Sequence, residues 1–149
     1  MKKSVILVIA VVYLVSVILI GFYGINVKVY NETTYVSHIE CLTEGYTLYD
    51  PNNPDDKAFI DEGFDGYINV KYTEGLVVNL KCIAKPDEAT NKELEYRTAS
   101  TNVSISDVKE DGTVDITFSA SGTAIITVVA KDGQDATLTI RVRASKINL

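Results

Sequence analysis

Hydrophobic positions follow two regimes along this chain. From Ser4 to Val27 the sequence reads SVILVIAVVYLVSVILIGFYGINV, without a charged residue. These 24 residues would span about 36 Å as a helix at ~1.5 Å per residue, and a bilayer core needs about 20. The pattern predicts a transmembrane helix. A cleaved signal peptide has an apolar core of about 7–15 residues and a small-x-small cleavage site. The uninterrupted run from Val5 to Ile20 is longer, and Gly21-Phe22-Tyr23-Gly24 supplies no such site. Residues 1–24 therefore read as an uncleaved signal anchor, with Phe22 and Tyr23 at the interfacial aromatic belt and the two glycines ending the helix.

Beyond Ile25 the period changes to two. Ile25–Tyr30 (INVKVY) and Tyr35–Cys41 (YVSHIEC) alternate, and Asn31–Thr34 between them has the form of a hairpin turn. A membrane-proximal hairpin is expected there, starting where the helix ends. Residues 42–66 differ in composition. They contain Pro51, Pro54 and seven acids, and read as a long loop with one helical turn near Asp55–Ile60. From Tyr67 onward strands recur at short intervals: 67–72, 76–84, 94–98, 103–106, 113–120, 123–130 and 136–143. The inward positions include Leu76, Val78, Leu80 and Cys82, then Val114, Ile116 and Phe118, then Leu138, Ile140 and Val142. Asp111-Gly112, Gly122 and Asp132-Gly133 mark turns. The expected fold is all-β: an antiparallel, immunoglobulin-like β-sandwich behind one N-terminal transmembrane helix. Its parts are an anchor at 1–24, a hairpin plus acidic loop at 25–73, and the sandwich at 74–149.

Charge narrows the function classes. The net charge is −6, and two lysines precede the apolar run, so the remainder is more acidic still. An acidic domain repels phosphate backbones, which argues against a nucleic-acid partner. Lys2, Lys3 and the terminal amine outweigh Lys28 on the other flank, so the positive-inside rule places the N-terminus in the cytoplasm and the rest outside.

The stretch from Glu74 to Val142 resembles the bacterial immunoglobulin-like domain family 2, the module of intimin- and invasin-type surface proteins. The resemblance rests on residues in order. Lys85-Pro86 is followed by Asp87-Glu88-Ala89-Thr90-Asn91-Lys92. Leu94-Glu95-Tyr96 stands where the family has its core aromatic, commonly a tryptophan. Asp111-Gly112-Thr113-Val114 and Gly122-Thr123-Ala124-Ile125-Ile126-Thr127 follow. The match covers about half the chain and leaves residues 28–73 without a counterpart. It implies an extracytoplasmic structural module rather than an enzyme. The tyrosine in place of tryptophan adds a hydroxyl that needs a hydrogen-bond partner or solvent.

Candidate chemistry is sparse. The one histidine, His38, falls on the strand face opposite Ile39 and Cys41, and no second ligand pair accompanies His38 and Cys41 to complete a zinc site. Cys41 and Cys82 both fall at inward strand positions. They read either as a disulfide, worth about 2–4 kcal/mol outside the cytoplasm, or as two buried free thiols packed as small hydrophobes. The 42–66 acids are hard oxygen ligands, but Pro54 breaks the EF-hand spacing. Their first reading is a solvated loop, with a weak calcium site second. No aromatic platform for a sugar cleft can be placed. No catalytic residue, cofactor or metal is assigned. The expected role is a non-catalytic interaction module at the outer face of a membrane, contacting lipid through its helix and a protein or cell-wall partner through its domain. The alternatives are a small adhesin or carbohydrate-binding surface protein, and an accessory subunit of a membrane complex.

Overall fold

A computed structural model describes residues 3–30 and 33–146, with residues 24–30 described by their backbone alone. The chain divides into two units, 1–33 and 34–149.

In the first unit a single helix, α1, runs from Lys3 to Tyr30. Its segment Lys3–Tyr23 is long and apolar enough to cross a membrane. Every side chain of that segment is exposed, so the apolar surface runs all round the helix, as lipid contact requires. The Ser16 hydroxyl donates to the Val12 carbonyl at 2.8 Å, which satisfies it within the helix. Two expectations are corrected here. Gly21 and Gly24 do not end the helix, and Ile25–Tyr30 is its last part rather than a strand, so the membrane-proximal hairpin does not form. Six alternating residues are too few to overrule a helix already nucleated, because each added turn closes further backbone hydrogen bonds. Asn31 and Glu32 of the expected turn lie outside the described residues.

The second unit is two sheets. One has the strand order β1-β4-β7-β6, from β1 (His38–Cys41), β4 (Val77–Lys85), β7 (Thr113–Phe118) and β6 (Val103–Ile105). The other has the order β2-β3-β9-β8-β5, from β2 (Tyr46–Leu48), β3 (Gly66–Lys71), β9 (Thr137–Ser145), β8 (Gly122–Ala130) and β5 (Leu94–Thr98). The period-two pattern buries alternate residues of β4, β7, β8 and β9, and Phe118, Leu80, Ile116, Ile126, Ile140 and Val142 are fully buried between the sheets. Each such side chain stabilises the fold by about 1.5–3 kcal/mol through loss of contact with water. The strands read from residue 67 onward are all present within a few residues of their expected ends.

Two further differences concern the sheets. The five-stranded sheet is mixed: β3 runs parallel to β9, with Tyr67 beside Arg141 and Asn69 beside Arg143. Side-chain alternation is the same in parallel and antiparallel strands, so direction is not encoded there; the connections impose it. The acidic segment is also structured. It forms β2, pairing with β3, and helix α2 (Pro54–Asp61). Asn53 caps α2, its side-chain oxygen accepting from the Asp55 amide at 3.1 Å. Pro54 sits in the first turn with Asp55 and Asp56, where proline and negative charge both suit a helix N-terminus.

Candidate functional site

Two places in the sandwich bring chemically capable side chains together. The first is on the outer face of the five-stranded sheet. Alternation turns Tyr67 and Asn69 of β3 outward, and parallel pairing sets them beside Arg141 and Arg143 of β9. Helix α2 covers one end of this row. Phe59 of α2 stacks on Tyr49 at 5.1 Å, Tyr49 meets Tyr67 at 5.0 Å, and the Arg141 guanidinium lies 4.4 Å from the Phe59 ring centre. Arg141 also donates to the Tyr49 hydroxyl at 3.3 Å. The result is a cleft of about 260 Å³, lined by aromatic rings, two arginines, Asn69 and Asp56. All three arginines of this acidic chain project from this one sheet face, since Arg97 pairs with the outward Thr127 of β8. Arg97 is held by Glu95 at 2.9 Å. Arg143 is exposed and makes no ion pair or hydrogen bond among the described residues.

The second place is the pair of cysteines, which the structure sets directly opposite each other on neighbouring antiparallel strands, Cys41 on β1 and Cys82 on β4. Both are free thiols. Leu42 donates to Lys81 at 2.8 Å one step along the ladder, so Cys41 and Cys82 occupy a non-hydrogen-bonded position, where facing side chains come closest. The neighbouring Cys82 thiol favours the Cys41 thiolate and brings its pKa down to about 6. Cys41 and burial together push Cys82 far above its ordinary range. The hydroxyls of Tyr46 and Tyr96 are buried beside the sulfurs, and neither has a hydrogen-bond partner of ordinary geometry. Burial raises both tyrosines, so they remain protonated donors. The extra hydroxyl foreseen for Tyr96 is thus buried away from solvent without a hydrogen-bond partner.

Tyr46 is placed by a glycine. A Cβ at Gly66 would lie 2.6 Å from both the Tyr46 ring and the Thr47 carbonyl, so only glycine lets β2 and this ring approach β3 so closely. Cys41 and Tyr46 line a groove of about 510 Å³ between β1 and β2, with Leu48 and Leu138 as apolar walls and His38 and Glu40 at the rim.

His38 is exposed, as its strand position foretold, and bonds to Ser37 at 2.9 Å and Glu40 at 3.3 Å. Several acids of the 42–66 segment act as acceptors for backbone amides, two within the segment and one on β9. Asp50 accepts from the Asn52 amide at 2.8 Å, Asp56 from the Asp50 amide at 3.0 Å, and Asp65 from the Thr139 amide at 2.6 Å. Among the described residues no three His, Cys, Asp or Glu side chains converge as metal ligands. The aromatic-arginine cleft had no counterpart in the sequence reading. Its members come from a turn, a helix and two strands far apart in the chain. The one local signal is the arginine spacing in Arg141-Val142-Arg143, which puts both on one strand face.

No protein-family model matches the chain, and no curated protein is significantly similar to it.

Proposed function

We propose that this protein is a single-pass membrane protein that holds a non-catalytic, bacterial immunoglobulin-like interaction module on the extracytoplasmic side. The observation that carries this reading is α1, whose segment Lys3–Tyr23 is apolar all round and ahead of a separately folded β-sandwich. Lys2 and Lys3 at its start favour an N-terminus in the cytoplasm. The family resemblance gains support from where its residues fall. Tyr96 sits on β5 against the core, Asp111-Gly112 makes the turn into β7, and Gly122 opens β8.

Fractionation and protease accessibility in intact cells test the proposal. The full-length chain should stay with membranes after alkaline carbonate extraction, and external protease should digest the domain while leaving an N-terminal membrane fragment. Release by carbonate removes the anchor, and protection of the domain until lysis reverses the topology.

A second reading, a carbohydrate-directed surface protein, is favoured by the cleft alone. Aromatic rings, Asn69 and two arginines suit an acidic saccharide. Titration with a uronic-acid oligosaccharide should give saturable binding that Arg143→Ala weakens about tenfold, the worth of one charged hydrogen bond. Equal binding by wild type and variant removes this cleft from consideration.

A further inference from the structure

We propose that Cys41 and Cys82 form a thiol–disulfide exchange site, in which Cys41 takes up a substrate disulfide from the groove between β1 and β2 and Cys82 resolves it into a cross-strand disulfide. Three independent features of the structure point to it. The first is spacing. Facing residues at a non-hydrogen-bonded position have Cα atoms about 4.5 Å apart, at the short end of the disulfide range of about 4.4–6.8 Å, so the register brings the two sulfurs within bonding reach.

The second feature is unequal access. Cys41 is partly exposed and lines an open groove, whereas Cys82 is only 5% exposed. An entering disulfide therefore meets Cys41 first, and the thiol that must not be intercepted by solvent species is the buried one. The third is the pair of unpartnered hydroxyls, Tyr46 and Tyr96, beside the sulfurs. A buried donor without an acceptor is costly. A sulfur carrying negative charge would supply the missing acceptor. The adjacent Cys82 thiol acts the same way, favouring the thiolate on the accessible sulfur.

The chemistry balances with a substrate disulfide R–S–S–R as the oxidant. The Cys41 thiolate attacks one substrate sulfur; the Cys41–S–S–R bond forms, the substrate S–S bond breaks, and one R–S⁻ leaves. Cys82, losing its proton to that thiolate, attacks the Cys41 sulfur and expels the second R–S⁻, which takes up the proton released when Cys41 ionised. The two cysteines are oxidised by two electrons and the substrate is reduced to two thiols. The exposed leucines Leu42 and Leu48 beside the groove favour an apolar or neutral R group, and the acidity of the chain disfavours an anionic one. The proposal does not depend on which side of a membrane the domain faces.

The test uses the full chain, reduced and in detergent, exposed to hydroxyethyl disulfide, a neutral probe, then acid-quenched and mapped by mass spectrometry. Wild type should pass through a single adduct on Cys41 and end as the Cys41–Cys82 disulfide, lighter than the dithiol by two hydrogens. Cys82→Ser should accumulate the Cys41 adduct, and Cys41→Ser should react more than about tenfold more slowly, since buried thiols are inert. Should the variants misfold by circular dichroism, the order of modification in wild type decides. First modification at Cys82, a wild-type chain that stops at a stable mixed disulfide, or no reaction at all overturns the proposal.

Discussion

At the scale of single residues, the sandwich depends on a few positions where one atom more would not fit or one charge is shared. Gly66 is the clearest of the first kind, because a methyl group there would meet backbone on one side and the Tyr46 ring on the other. Gly66→Ala should destabilise the domain by about 1–3 kcal/mol, the ordinary cost of overpacking, read as a lower thermal midpoint. It should also free the Tyr46 ring. Cys41 is the clearest of the second kind. With its pKa lowered from 9.0 to about 6 by the Cys82 thiol, it is a thiolate above that value and a thiol below it. Iodoacetamide alkylation of Cys41 should therefore rise through pH 6 and level off, well before an ordinary cysteine reacts fully. The groups facing it, Cys82, Tyr46 and Tyr96, stay protonated over that range. A midpoint close to 9 in the folded chain would show that Cys82 does not stabilise the Cys41 thiolate. His38, by contrast, is where its alternating neighbours place it, on the solvent side of a short strand.

Among the elements, α2 is the one whose existence is least secured by burial, since none of its residues is buried. Its hold on the sheet is the Asn53 cap, the Phe59–Tyr49 stack and the Arg141 guanidinium over Phe59. Asn53→Ala should cost about 1 kcal/mol through loss of the cap, and Arg141→Ala about 0.5–2 kcal/mol through loss of the cation–π contact. Both should appear as faster amide hydrogen exchange over Pro54–Asp61, with little change in β8, whose residues Ala124, Ile126 and Val128 are fully buried. Unchanged exchange over α2 in Arg141→Ala would mean that the contact does not anchor the helix. Most strands from β3 onward, above all β4, β7, β8 and β9, were legible because they alternate over six or more residues. The strand expected at Ile25–Tyr30 alternates equally well and is helical. Its alternation is a weaker influence than the helix that precedes it, whose hydrogen bonds continue without a break. The three-residue β2 was illegible for the opposite reason, being too short to show a period. It exists because β3 offers it an edge.

For the whole molecule, the division at residue 33 implies that the β-sandwich carries its own core. A fragment of residues 34–149 should be soluble, rich in β structure by circular dichroism and cooperatively melting. Aggregation of that fragment with no melting transition would show that the domain requires its N-terminal segment. The long uncharged run, the acidic balance and the period-two pattern are properties of neighbours in the chain. They therefore determined by themselves a helix long and apolar enough to cross a membrane, a mainly β domain and the inward set of Leu80, Cys82, Ile116, Phe118, Ile140 and Val142. The tertiary structure alone decided which strands adjoin and in which direction. That choice makes β3 and β9 parallel, gathers Tyr49, Phe59, Tyr67, Arg141 and Arg143 around one cleft, and sets Cys41 against Cys82 across a ladder. Alternation records which face a side chain takes and nothing of the partner strand. Pairing is settled instead by connections and packing among residues far apart in the chain, as between Tyr49 and Arg141, ninety-two positions apart.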